Sequence, residues 1–197
     1  MTKAVWGRAV RVTIAAVALG SLSCGELTRQ GQSPGYLVIQ VLEGAGGGSD
    51  AEFSGVLASD VETVVDGQPT VFADVGRATL ALRLKDPGAS TAPSPNNAIT
   101  VNRYRVTYVR TDGRNTPGVD VPYAFDGAIT LTVAGEASAE FTLVRVIAKQ
   151  EAPLAALRFN GVFIDTIAEV TFYGRDQTGR EVSAVGRLSV NFGNYGG

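Results

Sequence analysis

No histidine occurs anywhere in this chain, and cysteine and tryptophan occur once each, as Cys24 and Trp6. The missing imidazole excludes Ser-His-Asp and Cys-His catalysis, histidine zinc sites and a histidine general base. A single thiol forms neither an internal disulfide nor a thiolate cluster. With its only tryptophan at position 6, the body of the protein has no tryptophan platform for stacking a sugar. Acidic residues are absent before Glu26. No segment carries a sustained helical stripe of apolar residues. These gaps remove more function classes than any motif present supplies.

What is there begins at the N-terminus. Lys3, Arg8 and Arg11 precede an apolar stretch from Val12 to Leu19, followed by the small residues Gly20, Ser21 and Ser23. A positive start, a short apolar core and small residues make an export signal. The apolar core is about eight to eleven residues long, whereas a bilayer helix needs roughly 20, so the segment is expected to be cleaved.

The stretch Leu19-Gly20-Ser21-Leu22-Ser23-Cys24 resembles the lipobox of bacterial lipoproteins. That resemblance implies cleavage between Ser23 and Cys24 and acylation of Cys24, with a diacylglyceryl group supplying two chains. Two chains give stable anchoring where one gives only marginal binding. Ser21 stands where the family has an aliphatic residue, and Leu22 follows one place late. Two alternatives stay open: ordinary signal cleavage, which would leave a free thiol in an oxidising compartment, and a structural cysteine in a cytoplasmic protein. Gly25 occupies the position where an Asp would resemble the inner-membrane retention signal. The expected location is therefore the cell envelope, at the outer membrane if one is present.

Loss of Lys3, Arg8 and Arg11 leaves 14 basic residues of the 17, against 19 acidic ones. A net charge near −5 gives no electrostatic reason to bind nucleic acid. Nor does it draw the domain to an anionic lipid surface. Contact with the membrane is expected through the anchor alone, and partners are expected to be envelope proteins or glycans.

From Tyr36 onward the apolar period is two. Leu37, Ile39 and Val41 alternate with Val38 and Gln40, and Ala78, Leu80, Leu82 and Leu84 with Thr79, Ala81, Arg83 and Lys85. The same alternation marks Ile129 to Val133, Val170 to Tyr173 and Ala184 to Phe192, which reads as strands with one wet face. Asp66-Gly67, Asp112-Gly113, Asp126-Gly127, Asn160-Gly161 and Thr178-Gly179 supply turn chemistry. The pattern predicts strands over 36–43, 52–58, 69–75, 78–85, 99–110, 119–124, 127–134, 139–149, 162–174 and 181–192. One helical turn is expected near Ala152 to Leu157, begun by Pro153.

Many antiparallel strands without helices make an all-β sandwich or a barrel. The sandwich is the expected form. In architecture the chain resembles immunoglobulin-like and fibronectin-type-III-like domains, without their diagnostic tryptophan and paired cysteines. The expected organisation is a signal peptide over 1–23, a lipidated tether over 24–35 and one β-sandwich domain over 36–197. The proline-bearing stretch Asp86 to Asn97 reads as a long loop, or alternatively as a linker between two domains.

Candidate sites are few. The glycine run 44–48 reads as a flexible loop, because a phosphate loop needs Gly-Lys-Ser/Thr at its end. Asp60, Glu62, Asp66 and Asp74 form one acidic group, and Asp112, Asp120 and Asp126 another. Neither has the spacing of a dedicated calcium loop. Arg83 with Lys85, and Arg103 with Arg105, lie two apart on their strands. If those strands pair, the four make a basic stripe able to grip an anionic glycan or a protein. Asp165 and Glu169 share a strand face but stand about 13 Å apart, beyond the ~5–9.5 Å of glycosidase pairs. No catalytic residue, metal site or cofactor is expected. The reading is a non-enzymatic envelope lipoprotein for adhesion, assembly or scaffolding, with calcium or anionic-glycan binding as the alternative. Loops 44–50, 86–98 and 111–118 are the expected contact regions.

Overall fold

The computed structural model describes residues 33–48, 52–86, 88 and 95–195. The expected signal segment 1–23 with Ser23, the acylation candidate Cys24 and the expected tether up to Gln32 lie outside the described residues. So does part of each of the loops 44–50 and 86–98. The strands are β1 Gly35–Ala45, β2 Val56–Asp60, β3 Thr63–Val65, β4 Gln68–Thr70, β5 Asp74–Leu84, β6 Ile99–Val109, β7 Phe125–Val133, β8 Glu136–Val144, β9 Ile164–Asp176 and β10 Glu181–Gly193. A one-turn helix α1, Val146–Gln150, and a 3-10 segment, Leu154–Phe159, connect β8 to β9.

The protein is all-β. A three-stranded sheet in the order β1-β5-β8 faces a five-stranded sheet in the order β2-β10-β9-β6-β7, and β3-β4 is a separate hairpin. Every pairing between these strands is antiparallel except β2 on β10, which is parallel. Strands on both sides of 86–98 pair within the same sheets, β5 with β8 and β2 with β10.

One core joins the layers. Tyr104 of β6 packs against Phe141 of β8 with ring centroids 5.0 Å apart, and Phe141 meets Phe172 of β9 edge-on at 5.3 Å. Each fully buried aromatic of this kind contributes about 1.5–3 kcal/mol by leaving water. The Tyr108 hydroxyl crosses from β6 to donate to the Leu143 carbonyl of β8 at 2.7 Å. Burial pushes that phenol well above its ordinary value.

Several expectations are corrected by this packing. The expected strand 69–75 is split: its start belongs to β4, residues 71–73 to no strand, and Asp74 and Val75 run on into the expected strand 78–85 as β5. Gly76 reads as a break, yet a Cβ there would stand 2.4 Å from the Phe141 ring, so the glycine makes room for the core. Gly127 is likewise no turn: it lies inside β7, where a Cβ would meet the Tyr104 ring at 2.2 Å. Segment 119–124 is not a strand. Thr116 O instead accepts the N–H groups of Val119 and Asp120, which curls the chain.

The expected strand 139–149 leaves the sheet at Val144 and becomes α1, which carries Lys149 inward. The expected strand 52–58 begins only at Val56. Gly44 and Ala45 belong to β1 rather than to a loop. Other turns follow the sequence pattern. Asp66 and Gly67 both take positive φ, 51° and 76°, in the β3-β4 hairpin, and Gly179 does so at 85° between β9 and β10.

Candidate functional site

The four expected cations do not form one stripe, because β5 and β6 lie in different sheets. Arg83 is on the outer face of the three-stranded sheet, where it reaches the Leu82 carbonyl at 3.1 Å. Lys85 follows the end of β5, and its backbone N–H donates to Pro34 O at 2.9 Å. Arg103 and Arg105 lie on the outer face of the other sheet.

That second face holds the most developed arrangement. A bulge in β6 between Val101 and Arg103 shifts the register against both β7 and β9, and bulges re-aim side chains. Arg103 then stacks over the Tyr173 ring at 4.0 Å and reaches Asp126 at 3.4 Å. Arg105 binds the other Asp126 oxygen at 2.7 Å. Further along, Arg175 pairs with Glu181 at 3.1 Å and Arg187 with Glu169 at 2.7 Å. An open depression of about 690 Å³ lies between Arg103, Asp126, Tyr173, Arg175 and Glu181.

The groups on this face are arginines, carboxylates and one aromatic ring. Asp126 is on β7 and Glu181 on β10, three strand spacings apart, or about 14 Å at ~4.8 Å each. Paired glycosidase carboxylates stand ~5–9.5 Å apart, and both of these acids are engaged by arginine. Asp165 and Glu169 share β9, with Glu169 held by Arg187.

The acidic groups considered for calcium are dispersed by the fold. Asp60 accepts the Glu62 and Tyr195 N–H groups, Glu62 faces Arg158 at 3.6 Å, and Asp66 forms a hairpin turn. Asp112 is clasped by Arg110 and Arg114, and the Arg110 hydrogen bond in particular holds its carboxyl far below the usual carboxylate range. Asp120 accepts the Thr116 N–H. Among the described residues no three His, Cys, Asp or Glu side chains converge on a metal position.

Asp74 is the residue whose role the sequence concealed. It is wholly buried, with Lys149 Nζ at 2.6 Å, the Ser59 hydroxyl on its second oxygen and the Gly47 N–H at 3.0 Å. Burial raises its pKa above the ordinary value, against the pull of Lys149 and the other donors. The available signal was a lysine inside an apolar segment, Val146-Ile147-Ala148-Lys149, but no spacing links it to position 74. Asp176 is also buried. Burial alone would raise its carboxyl, yet hydrogen bonds from Thr178, Arg180 and Ser33 hold it below its ordinary value.

Set against protein-family models, curated proteins and solved structures, the chain matches none. Function must therefore be argued from its own residues. Among the described residues no helix is long and apolar enough to cross a membrane.

Proposed function

We propose that this chain is an exported, lipid-anchored module of the cell envelope with an immunoglobulin-like sandwich, acting by contact in adhesion, assembly or scaffolding and not by catalysis. The strand order supports the immunoglobulin-like reading. The β1-β5-β8 sheet corresponds to A-B-E and β10-β9-β6-β7 to G-F-C-C′ in the immunoglobulin scheme. The core position served by tryptophan and a disulfide in antibody domains is filled by Tyr104, Phe141 and Phe172.

The observation that carries the contact reading is the polarity of the domain. The described chain enters at Ser33, beside Asp176 at the end of β9. The opposite end exposes Phe159, 89% accessible, together with Val162 and Phe163. A module tethered at the Ser33 end would present that tip to partners away from its anchor, while the charged depression lies on the flank nearer Asp176.

Mass spectrometry of the native product tests the anchor. The expected species lacks residues 1–23 and carries acyl chains on Cys24, and Cys24→Ala should release the protein from the membrane fraction. Residues 1–23 retained with a bare thiol would refute the reading.

The stacking of Arg103 on Tyr173 beside an open depression favours a second reading, binding of an anionic glycan. Asp126 neutralises the two arginines there, so Asp126→Asn should strengthen binding to a polyuronate in a salt-dependent way. Equal retention of both proteins on a polyuronate column would dismiss it.

A further inference from the structure

The two lateral sides of the sandwich are finished differently. On one, Gly44 N–H bonds to Ser54 O at 2.9 Å and Ser54 N–H to Gly44 O at 3.0 Å, tying β1 to the segment that leads into β2. On the other, β7 and β8 form the outer strands of their two sheets, joined only by Ala134 and Gly135. Among the described residues nothing pairs with the outer edge of β8.

The register states which backbone groups this edge offers. Leu82 N–H donates to Gly135 O at 2.8 Å, and Leu80 pairs with Ala137 and Ala78 with Ala139. Hydrogen-bonding direction alternates along an antiparallel strand. Residues 135, 137 and 139 therefore bond to β5, while the N–H and C=O groups of Glu136, Ser138 and Glu140 point outward. The usual edge guards, proline, lysine or a bulge, are missing from Glu136–Glu140. The inward side beyond the edge is apolar, with half-buried Ile129 and Leu131 of β7 and Ala137 of β8 packed on the core. The outward side is acidic, since Glu136 and Glu140 are both exposed.

We propose that the free edge of β8 docks an extended strand of a partner protein, with basic residues on its solvent face and apolar residues on its inner face. Such strand addition draws affinity from main-chain hydrogen bonds and specificity from alternate side chains. Basic residues opposite Glu136 and Glu140 make favourable cross-strand pairs. The same charges disfavour a second copy of this chain. Full antiparallel overlap of two β8 strands sets Glu140 against Glu140, and a slip centred on Ser138 sets Glu136 against Glu140 twice. The proposal names a partner class for the contact reading above, and it does not depend on the lipid anchor.

The test uses the full chain and two nine-residue probes, an alternating Lys-Val peptide and its Glu-Val counterpart. The free protein should exchange the Glu136, Ser138 and Glu140 amides rapidly. The Lys-Val peptide should bind saturably and protect those three amides, and the Glu-Val peptide should do neither. Ser138→Pro removes one outward donor and the exposed Ser138–Thr79 hydroxyl contact but no main-chain bond to β5, and should weaken binding about tenfold. Should that variant fold poorly, the exposed pair Glu136→Lys with Glu140→Lys should reverse the preference to the Glu-Val peptide. Slow exchange in the free chain would overturn the proposal, as would equal binding of both probes or protection elsewhere than β8. A failure here with Cys24 found acylated would leave the envelope reading standing.

Discussion

Asp74 and Asp176 are both buried carboxylates at the ends of long strands, and they are stabilised in opposite ways. Asp176 is held mainly by its own turn, through one oxygen, while its other oxygen is buried with no partner in that turn. One oxygen accepts the Thr178 N–H at 2.9 Å, the Thr178 hydroxyl at 2.7 Å and the Arg180 N–H at 2.9 Å. Asp74 takes its principal partner from α1, 75 residues further along the chain. The first is a local device in which a short side chain caps neighbouring backbone groups. The second requires the sandwich to be assembled before either charge has a partner. Burial raises one carboxyl, while dense local donors pull the other down.

The largest expected effect lies at the distant pair. Lys149→Ala leaves the Asp74 carboxyl buried without its cation and should cost about 3–5 kcal/mol in urea unfolding. Replacing both members by apolar residues of similar size should recover most of that loss. A double variant as unstable as the single one would show that Lys149 matters for its stem and not for its charge.

Asp176→Ala should cost less, about 1–3 kcal/mol, because it orphans donors in one turn at the edge of the domain. The β9-β10 amides nearest Gly179 should lose hydrogen-exchange protection first.

The pH dependence separates the two further. The folded pKa of Asp176 is depressed, so its contribution is present above the unfolded value of 3.8 and is lost as pH falls through the folded value. Wild type and Asp176→Asn should therefore converge in stability below that region. The folded pKa of Asp74 is raised, so its titration favours the folded state below 3.8 and that advantage is lost as pH rises through the folded value. Unfolding curves across the carboxylate range should show gaps of opposite slope for the two Asp→Asn variants.

The smallest effect belongs to the charged outer face. Arg105 and Asp126 are both well exposed. Arg105→Ala should change stability by about 0.2–1 kcal/mol and less in high salt. A loss of several kcal/mol would make that face a structural element instead of an interaction surface.

Much of the fold was legible because its signal is local. Alternation at Leu37 to Val41 and Ala78 to Leu84 marks strands, since successive residues face opposite sides of a sheet. Asp66-Gly67 and Thr178-Gly179 mark turns by their backbone freedom. Three of the errors share one cause. Gly76 and Gly127 look like breaks, and are glycine because Phe141 and Tyr104 arrive from other strands to fill the space. Val146 to Gln150 is β-like in composition, and is drawn into a helical turn that carries Lys149 to Asp74.

The candidate site was legible only in part. Arg103 and Arg105 share a face as their spacing requires. Their partners Asp126 and Tyr173, and the separation of both from Arg83 and Lys85, depend on which strands neighbour one another.

Taken alone, the order of residues determined the period-two body and the absence of imidazole chemistry, because the first is set by residues close together in the chain and the second by composition alone. Only the tertiary structure decided the two-sheet strand order, the buried Asp74–Lys149 pair and the open edge at β8. Those depend on which distant strands meet, and no local pattern encodes that choice.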